Sequence, residues 1–359
     1  MMKQKKRGLM KLGVTLLLLM AMLSVLAACG NNGGANPAGS ANGNNTTGAG
    51  GNETASTAPV PVKTAYAPFI GGIGVYALVD KEFDLANGVD VEIGAFGSTS
   101  PLMSIMTGDV DIAFTTLQSY LVSINALMEE GSDIATLPKI VYLHNSSTGA
   151  DGIVSDSSIQ TVADLKGKTV SAQYGEVTHY MLAKALDTVG LTIDDVNLVD
   201  MGPGKGGAAF VAGSVDAATT FEPYLSQGVT SRKGNIIIST ADLENTILDV
   251  IVVSAKTAEE KPAWLQNTLK AVEDATQYVN SDLSAAAELT ADDLQVSAAE
   301  IKEMFPTVHL YTLADNHEGM DEGGWLYGTM EDVVEFYHSI GIIEEPFDVK
   351  QLVIADILW

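Results

Sequence analysis

The chain runs to 359 residues, room for two lobes with separate cores. It carries 45 acidic against 19 basic side chains, a net charge of −26, which argues against nucleic acid or anionic lipid headgroups as partners of the folded body. Its one cysteine excludes intrachain disulfides and any metal or redox site built from several thiols.

Residues 1–28 read as an export signal. Lys3-Gln4-Lys5-Lys6-Arg7 is a basic head, Leu12 to Ala28 is a short apolar stretch, and Ala27-Ala28 puts small residues before Cys29. Small residues followed directly by Cys resemble the bacterial lipobox, whose cysteine is acylated after cleavage, so Cys29 is the expected lipidation site. The competing readings are an ordinary signal cut elsewhere and a spanning anchor. The apolar run is barely as long as the ~20 residues a spanning helix needs. Cleavage before Cys29 leaves 14 basic against 45 acidic residues. Residues 29–58 are mainly Gly, Asn, Ala, Ser and Thr. That composition predicts a flexible tether holding the body roughly 30 Å from the bilayer on its extracytoplasmic face.

Residues 59–146 read as the first part of lobe 1. Val60 to Tyr66 is a predicted strand running into Ala67-Pro68-Phe69 and the turn Gly71-Gly72. Ile73 to Phe83 is a predicted helix, and Val89 to Ile93 alternates like a strand. Gly97-Ser98-Thr99-Ser100-Pro101 opens a helix, with Ser100 placed to cap and Pro101 in the first turn. The run Gly108-Asp109-Val110-Asp111-Ile112-Ala113-Phe114-Thr115 recurs as Gly213-Ser214-Val215-Asp216-Ala217-Ala218-Thr219-Thr220. Each copy follows a short helical pattern, Pro101 to Thr107 and Ala208 to Ala212. The shared G-x-V-D-x-A-x-T predicts a left-handed glycine ending a helix, then a strand. Two similar lobes account for the repeat.

Residues 147–250 read as lobe 2. Thr169 to Ala172 is a predicted strand, and Tyr174-Gly175-Glu176-Val177 leads into a helix with Leu182, Ala185, Leu186 and Val189 on one face. Gly190 ends that helix and Val196 to Val199 is the next strand. Gly202-Pro203-Gly204-Lys205-Gly206-Gly207 lacks the spacing of a phosphate loop and reads as a loop, either before a helix or lining a cleft. Residues 251–359 return to lobe 1, where a helix from Trp264 to Val279 offers Leu265, Leu269, Val272 and Val279 for packing. Alternating strands and helices predict an α/β fold with mostly parallel sheets. Ligands of such sheets sit outside the strands' carboxyl ends.

That rule selects the candidate ligand-binding residues. Tyr66 and Phe69 end the first strand, Ser98, Thr99 and Ser100 open a helix, and Thr115 and Thr116 end a strand. Across the cleft stand Tyr174, Glu176 and Thr178 at a helix start and Glu222 after a strand. Each hydroxyl has a competing role as a cap and each aromatic as core. Hydroxyls and helix N-termini suit an acceptor-rich, anionic or polar oxygen group, whereas Glu222 suits an amine or amidine nitrogen. Catalysis finds little support. His144, His179, His309, His317 and His338 show no zinc spacing, and no G-x-S-x-G elbow is present, so neither a metal nor a cofactor is expected.

Asp164-Leu165-Lys166-Gly167-Lys168-Thr169-Val170, Tyr180 to Leu186, Gly190 to Val196, Ala209 to Ala218 and Phe221-Glu222-Pro223-Tyr224 follow in an order and spacing that resemble the nitrate/sulfonate/taurine solute-binding proteins of ABC importers, a family that includes binders of thiamine-pyrimidine precursors. Gly94 to Ser100, Met304 to Val308 and Gly341-Ile342-Ile343 extend the resemblance over the chain from Val60. It implies a two-lobed, periplasmic-binding-protein-like clamshell of type II. Its chain would cross near Tyr142–Asp151, return near Asp249–Ser254, and have its last segment buttress lobe 1. It further implies a monomer that binds a small sulfonate, taurine-like or aminopyrimidine-like solute for an ABC permease and its ATPase. A sensory receptor and an extracytoplasmic enzyme are the alternatives. One departure stands out: His144 falls where relatives place an acid, although Asp151 remains a candidate.

Overall fold

The computed structural model describes residues 58–66, 69–95, 100–243 and 245–359. The predicted export signal, Cys29, the predicted tether up to Thr57, Ser98 and Thr99 lie outside the described residues.

The first sheet is built from β1 (Val60–Tyr66), β2 (Val89–Ala95), β3 (Ile112–Thr116), β4 (Lys139–Ser147), β10 (Leu248–Val253) and β11 (Val308–Leu310), in the order β11-β4-β10-β3-β1-β2. The second is built from β5 (Asp151–Ser155), β6 (Thr169–Ala172), β7 (Asn197–Asp200), β8 (Ala217–Phe221) and β9 (Asn235–Ser239), in the order β7-β6-β8-β5-β9. The strands from Val60, Thr169 and the repeat, and the helix Pro101–Thr107, fall where the sequence predicts them.

The sheets are mixed rather than mostly parallel. β1 pairs in parallel with β2 and β3, and β6 with β7 and β8, but β10 runs against β3 and β4, and β5 against β8 and β9. The crossings explain this. β10 and β5 are each entered directly from the other lobe, so they start at the cleft. There they meet the carboxyl ends of β3 and β8 and must run the opposite way. The chain leaves the first sheet over Thr148–Ala150. It is back at Leu248, earlier than the expected return, so a lobe boundary at 250 would fall inside β10. The crossing segments are tied together: Thr240 Oγ1 hydrogen-bonds Ser147 Oγ at 2.7 Å and accepts from Gly149 N at 2.8 Å.

Alternating side chains place core on both faces of the first sheet. From β10, Val250 and Val252 pack with Leu117, Leu121 and Ile124 of the helix Leu117–Glu129 and with Met330 and Val333 of the helix Trp325–Ser339. Ile251 and Val253 face the other way, onto Leu265, Leu269 and Val272 of the helix Pro262–Ser281. The C-terminal segment therefore completes the first core. In the second lobe Ile153 packs with Leu182 and Leu186, and Val154 with Phe210 and Leu225.

The repeat has a structural cause. Gly108 and Gly213 both take φ near +77°, a conformation that suits residues without a Cβ. In both, a 6→1 bond (Asp109 N to Ser104 O, Ser214 N to Ala209 O) closes the helix end. Asp111 then accepts from Lys63 N at 2.9 Å and Asp216 from Thr169 N at 2.8 Å, so each aspartate pins the start of its own strand to the neighbouring parallel strand. The glycine-rich run at 202–207 is not a loop. It opens the helix Pro203–Val211, where a Cβ on Gly206 would lie 2.6 Å from Ser171 Oγ. Its glycines let the helix sit close to the sheet.

Candidate functional site

The internal repeat brings two acids to the cleft. Thr116 and Phe221 are equivalent positions, each eight residues past its repeat glycine. Asp249 in β10 pairs with Thr116, and Asp151 in β5 pairs with Phe221. The two aspartates are therefore equivalent across the lobes, each at the start of its own strand and beside the carboxyl end of β3 or β8. Their strands share a sequence, Asp151-Gly152-Ile153-Val154 and Asp249-Val250-Ile251-Val252. That D-x-I-V echo was available in the sequence, and it is the signal that points to Asp249, which reasoning from strand ends missed.

Between them lies a cavity of about 220 Å³ lined by Tyr66, Phe69, Ile70, Phe114, Thr115, Thr116, Ala150, Asp151, Val177, Phe221, Glu222, Ile247 and Asp249. It is smaller than the roughly 300–1,000 Å³ of sites for drug-sized ligands. One wall is aromatic: the Tyr66 ring meets Phe114 edge-on at 5.6 Å and tilts toward Phe69 at 6.4 Å. This wall needs Gly71 and Gly72. A Cβ on Gly72 would lie 1.4 Å from the Tyr66 hydroxyl, and one on Gly71 would lie 2.4 Å from the Phe69 ring.

The acids are held against their ionised forms. Burial pushes Asp151 up to about 7, with Asp249 and Glu222 raising it further and the Ser147 hydroxyl working the other way. Burial likewise pushes Asp249 up to about 6, against a hydrogen bond from Asn145 Nδ2 at 3.1 Å. Burial raises the Tyr66 phenol well above its ordinary value, so it stays a neutral donor. His144 does not replace the missing acid. It is buried edge-on to Phe114 at 4.9 Å, and burial pushes it down to about 4. Among the described residues lining the cavity none is Lys, Arg or His.

Of the candidates read from the sequence, the structure brings Tyr66, Phe69, Thr115, Thr116, Asp151 and Glu222 to this cavity. Thr116 also caps the helix Leu117–Glu129, accepting from Ser119 N at 3.2 Å. Glu222 has a structural role as well: its carboxylate accepts from Ser226 N at 3.2 Å and Ser226 Oγ at 2.8 Å at the start of the helix Tyr224–Arg232. Four candidates do not line it. Thr178 is buried and accepts from Gln173 N at 2.9 Å, bracing the turn before its helix; its neighbour Val177 takes the cavity position. Tyr174 is half exposed and tilts toward the His179 ring at 5.0 Å, beside a separate depression against Phe336. Glu176 accepts from Ser119 Oγ at 2.7 Å, a contact between the lobes. Ser100 sits at its predicted helix start, but its side chain makes no capping bond there. No cluster of His, Cys, Asp and Glu among the described residues is arranged to hold a metal ion, and no described helix is long and apolar enough to cross a membrane.

Two mixed sheets flanked by helices, crossed twice by the chain and enclosing a cleft at the strands' carboxyl ends, define a two-lobed periplasmic-binding-protein fold. Residues 72–285 match the NMT1/THI5 like family, and the chain belongs to it. A putative binding protein of Brucella abortus is 23% identical over 306 residues, 83% of this chain and 91% of its own. A putative aliphatic sulfonates-binding protein of Escherichia coli is 30% identical over 149 residues, 42% of this chain and 46% of its own. Among solved structures, the periplasmic aliphatic sulphonate binding protein of Escherichia coli superposes with a TM-score of 0.67 at 21% identity, covering 83% of this chain and 92% of that one.

Proposed function

We propose that this chain is the lipid-anchored, extracytoplasmic solute-binding component of an ABC importer. It takes a small polar organic solute into the cleft between its lobes and delivers it to the permease. The observation that carries the reading is the cavity itself. Strand ends from both lobes line it, as a clamp that closes on its ligand requires, in a chain whose relatives are named as binding proteins. Binding without chemistry fits the lining, which offers aromatic rings, two threonines and three acids. Cys29 supplies the anchor and the Gly/Asn/Ser-rich segment the reach.

Thermal unfolding of the mature chain against sulfonates, taurine, aminopyrimidines and amines tests the solute-binding step. A ligand at 100 times its dissociation constant adds about 2.7 kcal/mol of stability. Absence of any shift across the panel, together with unchanged solute uptake in cells lacking the protein, overturns the proposal.

A further inference from the structure

Resting on the solute-binding reading, we infer that the cleft selects a small organic cation, a protonated amine or amidinium on a flat or apolar body, held between Asp151 of one lobe and Asp249 of the other with aromatic rings around it. Geometry carries this. Both carboxylates line one cavity, one from each lobe at equivalent positions, and Glu222 adds a third. No described lining residue is basic. Buried carboxylates without a cation partner are costly, and a ligand cation supplies that partner. The rings of Tyr66, Phe69 and Phe114 add faces and edges suited to a cation on an aromatic or alkyl body.

Proton linkage fixes the sign of the pH response. The groups facing one another here are Asp151, Asp249, Glu222, the neutral Tyr66 phenol and, behind Phe114, the neutral His144 ring. With Asp151 near 7 and Asp249 near 6, both acids are partly protonated around pH 6.5. A cation draws them back to the ionised form, so binding releases protons and tightens as pH rises from 5 to 8. An anion does the reverse: it favours the protonated acids and takes protons up.

Calorimetric titration of the mature chain at pH 6.5, in two buffers of different ionisation heat, reads that sign. The probes are benzylamine and benzamidine on one side, and ethanesulfonate and taurine on the other. The expected result is binding of a cationic probe with proton release, weakened ten- to a hundredfold by Asp249→Asn and by Asp151→Asn, since each removes one charged hydrogen-bond partner. Binding of ethanesulfonate with proton uptake and no response to the cations overturns the cation assignment while leaving the solute-binding reading intact. Cation binding unaffected by both substitutions places it outside this cleft and also overturns the assignment. Silence from all four probes counts against both readings. Unfolding curves of the two variants, run alongside, separate lost affinity from lost fold.

Discussion

Replacing Asp249 by Asn tests the electrostatics of the empty cleft without any ligand. Asparagine keeps the shape and an acceptor oxygen for the Asn145 amide, which lies 3.1 Å from the carboxylate, and removes only the charge. Asp249 titrates near 6 in the fold against an ordinary 3.8. A displacement of that size corresponds to about 3 kcal/mol between the two protonation states. Part of the side chain stays open to cleft water, so about 1–3 kcal/mol is the expected effect. The sign follows from linkage. Between about pH 4 and 6 the folded chain holds a proton here that the unfolded chain has lost, so this group lowers stability as pH rises through that window and its full cost stands above it. Asp151, raised to about 7 by burial, adds a decline of the same sign that reaches higher pH. Urea unfolding of the mature chain from pH 4 to 8.5 should show wild type losing stability as pH rises. Asp249→Asn should show a flatter profile and a gain of about 1–3 kcal/mol at pH 8, with little change at pH 4. A variant less stable than wild type at pH 8, or one with an unchanged slope, refutes the account.

Other consequences can be checked separately. Gly72→Ala puts a methyl on the Tyr66 hydroxyl, 1.4 Å away, and should cost about 1–3 kcal/mol by overpacking and disturb the aromatic wall; wild-type stability with intact ligand response would show that the wall yields freely. Glu222→Ala removes both acceptors of Ser226 and should lower the stability of the ligand-free chain by about 1 kcal/mol in denaturant titration, whereas an unchanged midpoint would remove its capping role. His144 should remain a neutral imidazole down to about pH 5 by NMR titration, and a midpoint near 6.5 would mean that water reaches it. On the proposed acylation of Cys29, Cys29→Ala should release the protein from washed membranes without changing its unfolding curve; persistent membrane association would refute acylation.

The fold was legible where the signal was local. The strand Val60–Tyr66, the strand Thr169–Ala172 and the helix Pro101–Thr107 follow from alternation, turn glycines and a proline at the first helical turn. The repeat was legible because Gly108, Asp111, Gly213 and Asp216 each answer to a specific backbone need. Strand direction was not, because it depends on where the chain enters each sheet. A crossing of three residues, Thr148–Ala150, reverses β5 relative to the βαβ strands beside it, and no periodicity records that. The site was half legible for the same reason. Tyr66, Thr115 and Glu222 sit at ends of strands that the sequence marks, whereas Asp249 lies within an apolar run that reads as core until it is set beside Asp151-Gly152-Ile153-Val154. Tyr174 and Thr178 misled because a helix start offers both a ligand-facing and a loop-bracing position, and here the bracing role is taken.

The placement of the two acids also bears on how such a clamp closes. A ligand shifts a conformational equilibrium only by its difference in affinity for the two states, so a solute held by one lobe closes nothing. Asp151 is the first residue of β5 and Asp249 the second of β10, the two strands that begin where the chain crosses between lobes. The charge on Asp249 raises Asp151, so the two oppose one another's ionisation. Outside the cavity the lobes already touch: Ser119 Oγ donates to Glu176 at 2.7 Å, and Tyr180 of the second lobe stacks on Tyr337 at 6.3 Å. Taking a clamp from about 1% to 99% closed needs about 5.5 kcal/mol of differential affinity. Two hydrogen bonds to charged groups, at about 1.5–3 kcal/mol each, come to that order only when both are made at once. A cation reaching both aspartates meets this condition. A cation bound to either alone does not, and the internal repeat ensures that each lobe contributes one of the pair.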